Sequence, residues 1–170
     1  MKLGLPEDGI QRFSIDRQEL WEDSVAAFKN PKFNARFRPK VKFLGEVGID
    51  AGGPSREYGT SLRRALFSTE ANLFEGQEKN KLPIFNINGI QSNLYYLAGK
   101  MAAYLIIHLD IGLPVFSEAF YKYLVTDDIE KASEACSADD VPDFELKSWI
   151  NQVQNIDYNY ILSLGHNMRG

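Results

Sequence analysis

Cys136 is the single cysteine of the 170-residue chain and so the first residue to weigh as a nucleophile. A thiolate needs a cation or imidazole beside it, yet Cys136 stands between Ala135 and Ser137, with Glu134, Asp139 and Asp140 close in sequence. Negative neighbours oppose the thiolate, and the expectation is a partly buried helical thiol. The two histidines are His108, at the end of an apolar stretch, and His166, near the C-terminus. Such a set cannot supply the Cys and His pairs of a zinc site. His108 is expected to meet the last carbonyls of its own helix, where an imidazole suits the dipole. No catalytic residue, metal or cofactor is expected.

Phosphate chemistry finds as little support. The glycines in Gly45-Glu46-Val47-Gly48 and Gly52-Gly53 match neither G-x-G-x-x-G nor G-x-x-x-x-G-K-[ST], and Gly99-Lys100 is followed by Met101 inside a helical pattern. The acidic pairs Asp127-Asp128 and Asp139-Asp140 lack calcium-loop spacing and suit helix starts instead. One charged segment stands out: Lys29, Lys32, Arg36, Arg38, Lys40 and Lys42 follow one another without an acid. Phe33, Phe37 and Phe43 lie among them and could stack bases while the cations hold phosphates. The simpler account has the rings anchored inward and the cations solvated, so nucleic acid is not the expected partner.

The elements that must carry these residues follow from apolar spacing. Asp16 and Glu19 read as a capping box ahead of a helix from about 17 to 29, with Trp21, Val25 and Phe28 on one face and Pro31 as the stop. Val41, Phe43, Val47 and Ile49 then fall on alternate positions as a half-buried strand requires, with Gly45 and Gly48 marking a bulge or hairpin. Pro54 suits the first position of a helix over 54–67 that turns Tyr58, Leu62, Ala65 and Leu66 inward. A second hairpin is expected around Phe74 and Ile84-Phe85. The strongest helical pattern covers 91–108, with Leu94, Leu97, Ala98, Met101, Leu105 and Ile106 inward. Gly112 and Pro114 break it. Ser117 caps a short helix, Asp127 or Asp128 starts another, and an amphipathic helix from Phe144 through Trp149, Ile150 and Val153 ends near Gln154. Residues from 156 on read as a short strand or as a helix lacking its packing partner.

Composition bounds the whole. A chain of this length with 44% hydrophobic and 12% aromatic residues can build one core. The expected fold is α+β and predominantly helical, a helical core with one or two short β-hairpins. Its expected limits are an N-terminal tether over 1–15, the domain over 16–155 and a tail over 156–170. The longest apolar run, Met101 to Ile107, falls well below the roughly 20 residues of a membrane span. The first residues lack a signal-peptide core, so a cytoplasmic or nuclear protein without a membrane partner is expected.

The order of residues from Val41 to Tyr58, V-K-F-L-G-E-V-G-I-D-A-G-G-P-S-R-E-Y, is not explained by propensity alone. It resembles the opening of the N-terminal lobe of HECT-type ubiquitin ligases at Phe43, Gly45, Glu46, Gly48, Asp50, Gly52, Gly53, Pro54, Arg56 and Glu57. Ala98-Gly99-Lys100-Met101 through His108, then Gly112-Leu113-Pro114-Val115-Phe116 before Tyr121 and Leu124, are similar to the next stretch of that lobe. The likeness is good over about 20–124 and weaker through Phe144-Glu-Leu-Lys-Ser-Trp-Ile150.

It implies the first, larger subdomain of the lobe. In that family a conjugating enzyme docks on the N-terminal lobe and a C-terminal-lobe cysteine carries ubiquitin as a thioester. Ubiquitin, the conjugating enzyme and the remainder of the HECT domain are the implied partners. The lobe with that cysteine has no counterpart here, and Cys136 stands in the wrong lobe. The motif residues are read as scaffold, with Arg56 or Glu57 pairing Asp50 or Glu46 across the turn, partly buried if they matter. The alternative is a non-catalytic HECT-like protein-interaction module.

Overall fold

The computed structural model describes residues 8–46 and 52–167, with side chains described as far as 156. The elements run β1 (Ile10–Ile15), α1 (Leu20–Lys29), β2 (Arg38–Phe43), α2 (Gly53–Leu66), β3 (Phe74–Glu75), β4 (Leu82–Pro83), α3 (Ile87–Gln91), α4 (Leu94–Leu109), α5 (Glu118–Thr126), α6 (Ile129–Ser133) and α7 (Phe144–Asn167), with a 3-10 turn at Ala138–Asp140 before the last. The fold is α+β and predominantly helical, with only small strand pairs beside the helices.

The chain divides into two compact units, one over Met1–Phe74 and Pro83–Pro114, the other over Glu75–Leu82 and Val115–Gly170. In the first unit β1 and β2 pair in parallel, from Ile10 opposite Arg38 to Ile15 opposite Phe43. A parallel pair cannot close through a tight turn, and here α1 is the crossover. Both strands alternate, sending Phe13, Ile15, Val41 and Phe43 into the core and their neighbours outward. Helices α1, α2 and α4 add Trp21, Phe28, Tyr58, Leu62, Leu66, Leu97, Met101, Tyr104 and Leu105. Phe13, Phe28, Phe33 and Tyr104 form a ring cluster with centroids 4.6 to 6.4 Å apart.

In the second unit, strand-like bonds join Lys81 to Val115 and Ser117. Ser117 accepts from the Phe120 N–H at the start of α5, and Asp128 accepts from Glu130 and Lys131 at the start of α6. Ala119 and Ala132 are buried there, and Phe116 meets Phe120 edge-on at 5.1 Å.

Several sequence expectations are corrected. Residues Ile10–Ile15, assigned to the tether, form β1, because the partner that rewards their alternation lies across a helix rather than nearby. The strand expected over 41–49 begins at Arg38 and ends at Phe43. It pairs with β1; Gly45, at φ +79°, makes the turn that follows, and Val47, Gly48 and Ile49, on which the expected bulge or hairpin depends, lie outside the described residues. The capping box at Asp16 does not form. Asp16 caps nothing in α1; its carboxylate accepts from the Gln18 N–H, and its own N–H donates to Asp23. Ile106 is exposed, and Tyr104 takes the inward place. Helix α7 runs past the end expected near Gln154 to Asn167, so of the two readings for the residues from 156 the helix holds, and Phe144, Trp149 and Val153 on it are exposed.

Candidate functional site

The glycine turn is where the motif acquires its shape. Gly52 caps α2 at φ +107°, a left-handed conformation that costs glycine nothing and strains other residues, and Pro54 follows in the first turn of the helix. Ser55 is buried and bonds the Pro39 carbonyl of β2 at 3.4 Å, which ties the start of α2 to the strand. Tyr58, one turn on, is fully buried with its hydroxyl 2.9 Å from Ser24 Oγ of α1. The motif thus joins β2, α2 and α1 at one corner. Asp50 lies outside the described residues.

The cation that pairs Glu46 and Glu57 is Arg17, just ahead of α1. Its guanidinium bonds Glu46 through Nε and through Nη2 at 3.3 Å, and Glu57 through Nη1 at 2.6 Å. It also lies 3.8 Å from the centre of the Phe43 ring. These bonds, first to Glu46 and then to Glu57, push the guanidinium above its ordinary pKa, and the bond from Arg17 holds Glu57 below the usual carboxylate range. All three side chains are hydrogen-bonded and about half exposed. Water screens such a cluster, so it orients the turn more than it stabilises the fold. Sequence reasoning missed Arg17 because the partner lies 29 residues from Glu46 and 40 from Glu57.

His108 does not cap its own helix: Nε2 meets the Ala35 carbonyl at 2.8 Å and the ring stacks at 4.4 Å on Tyr104. Only a nitrogen that carries a proton can donate to that carbonyl, so Nε2 is protonated, and Nδ1 is buried without a hydrogen-bond partner among the described residues. Lys100 donates to the Phe28 carbonyl near the end of α1 at 3.0 Å and covers the Phe33 ring, a helix-capping task rather than a phosphate one. Cys136 is exposed rather than partly buried and lies beyond the end of α6, its thiol 3.8 Å from the Ala132 carbonyl. The rings of the basic segment are anchored as the simpler account requires: Phe43 is buried and Phe33 packs on Phe28.

An open groove of about 620 Å³ lies between the starts of β2 and α2 and the end of α4. Arg38, Lys40, Arg56 and His108 line it, with Asp110 as the one acid among the described lining residues. Among the described residues no group of three or more His, Cys, Asp or Glu could hold a metal ion, and no helix is long and apolar enough to cross a membrane.

No family model matches the chain. Among curated proteins it is similar to the probable E3 ubiquitin-protein ligase mug30 of Schizosaccharomyces pombe, 36% identical over 117 residues, or 65% of this chain and 14% of that protein. The G2/M phase-specific E3 ubiquitin-protein ligase of Homo sapiens is 28% identical over 174 aligned residues, 91% of this chain and 23% of its own length. The probable E3 ubiquitin-protein ligase HUL4 of Eremothecium gossypii is 26% identical over 163 residues, 89% of this chain and 19% of its own. The class these relatives define is the E3 ubiquitin-protein ligases, and the chain spans less than a quarter of the length of each. Within that class, the chain resembles a segment of the HECT-type domain, as its glycine-turn motif implies.

Proposed function

We propose that this chain is the scaffold part of a HECT N-terminal lobe, supporting transfer of ubiquitin from a conjugating enzyme through a thioester cysteine that lies in a C-terminal lobe outside this sequence. The likeness to an E3 ubiquitin-protein ligase over 91% of the chain carries the reading. The joint formed by Gly52, Ser55 and Tyr58 supports it, since it gives the motif a structural task. In this reading ubiquitin, a conjugating enzyme and the rest of the HECT domain are the partners, and the setting is the cytoplasm or nucleus.

Cys136 is not the acceptor. Incubated with activating enzyme, charged conjugating enzyme, ubiquitin and ATP, the chain should give no ubiquitin adduct that a reducing agent removes. A reducible adduct that disappears in Cys136→Ser would overturn the reading, because the acyl acceptor would then lie within this unit.

A further inference from the structure

We infer that the outer face of the β1–β2 pair is a docking surface for an extended acidic segment of another protein. The alternation that buries Phe13, Ile15, Val41 and Phe43 turns Ile10, Arg12 and Ser14 of β1 and Arg38, Lys40 and Lys42 of β2 to solvent. The register sets Arg12 directly opposite Lys40. Like charges facing each other across a sheet oppose its formation, so this arrangement does not serve the fold. Neither strand places an acid on the face, and none of the four cations forms an ion pair among the described residues. Elsewhere the chain is acidic: outside the basic segment Lys29–Lys42 it carries 13 basic residues against 23 acidic ones. A cation ladder without an ion-pair partner among the described residues is complementary to an anion from outside.

The spacing selects the kind of anion. Cations at alternate positions of one strand stand about 6.6–6.8 Å apart, which is also the repeat of alternate side chains in an extended peptide. Glutamates at every second position can therefore meet Arg38, Lys40 and Lys42 rung for rung. The groove continues the surface at its Arg38 end, where Arg56 and the start of α2 add positive potential beside Arg38 and Lys40. A single-stranded nucleic acid fits less well. It is held by exposed aromatic platforms, and the outward residues of both strands include no ring, while Phe13 and Phe43 are buried beneath them.

The test is fluorescence anisotropy of the whole chain with three labelled probes of equal charge: a peptide with glutamate at alternate positions, one with the same glutamates in a contiguous block, and a single-stranded oligonucleotide. The alternating peptide should bind most tightly, with affinity that falls as salt rises. Joint replacement Arg38→Gln, Lys40→Gln and Lys42→Gln should weaken it about tenfold or more. These side chains are exposed and mutually repulsive, so the triple variant should melt no lower than the parent. Arg12→Gln and Lys42→Gln, made singly, should each weaken binding by a smaller factor. Absence of binding at low salt, equal affinity for block and alternating peptides, tighter binding of the oligonucleotide, or full affinity in the variants would each overturn the proposal.

Discussion

Tyr104→Ala should destabilise the first unit by about 3–5 kcal/mol, the range for truncating a large buried aromatic. The side chain is 2% exposed, and its ring lies 5.8 Å from Phe13, 5.5 Å from Phe28 and 5.6 Å from Phe33, with His108 stacked at 4.4 Å. Four elements therefore meet on one residue: β1, α1, the segment after α1, and α4 itself. Its hydroxyl also donates to the Phe37 carbonyl at 2.7 Å, holding the chain that leads into β2. Tyr104→Phe keeps the rings and loses only that bond, which is worth about 0.5–1.5 kcal/mol. Denaturant titrations of both variants separate the two contributions, since a shift of midpoint at constant slope reports stability. Equal losses in the two variants would mean that the ring cluster is not the centre of the core.

The inward place of Tyr104 is not legible from aliphatic spacing. Aliphatic spacing over 91–108 gives Ile106 an inward place and leaves Tyr104 aside. Leu97, Ala98, Met101 and Leu105 face inward as expected, and Tyr104 joins them because a tyrosine can bury its ring while its hydroxyl finds a carbonyl, as Phe37 provides. Local signals served well where one turn of chain decides the outcome. Ser117 and Asp128 cap their helices as their types predict, and Pro54 stands in the first turn of α2. Non-local pairing defeated the reading elsewhere. Nothing near Ile10–Ile15 announces that the partner is Arg38–Phe43, and nothing near Glu46 announces Arg17.

The candidate site divides in the same way. The motif from Val41 to Tyr58 was visible as an ordered run, and its likeness to the ligases extends over most of the chain. Its mechanics were not visible. Gly52 and Pro54 start α2 as expected, but the partner of Glu46 and Glu57 is Arg17, and the buried contacts of the motif are made by Ser55 and Tyr58. The charged partners could be exchanged without loss of the turn because water screens them, whereas the neutral pair has no such freedom.

That neutral pair carries the second large effect. Ser24 and Tyr58 are both fully buried, Ser24 Oγ donates to the Leu20 carbonyl at 2.6 Å, and the Tyr58 hydroxyl therefore gives its proton to Ser24 Oγ at 2.9 Å. Ser24→Ala strands the phenol in the core and should cost about 1–3 kcal/mol, the desolvation cost of an unmade buried bond. Tyr58→Phe leaves Ser24 bonded to Leu20 and should cost less. The double variant should then lose less than the sum of the two, since the stranded hydroxyl no longer exists. Alkaline titration gives an independent reading. Burial raises the Tyr58 phenol above its ordinary pKa, opposed by the Ser24 bond and aided by the charge of Asp23, and burial raises Tyr104 likewise. Unfolded tyrosines release their protons near pH 10, where these two stay protonated in the fold, so their contribution is whole below about pH 10 and lost as pH rises above it. Tyr58→Phe should make that alkaline decline shallower, with Tyr104 supplying what remains. A decline as steep as the parent's, or strictly additive losses in the cycle, would show that Ser24 and Tyr58 do not act as a buried pair.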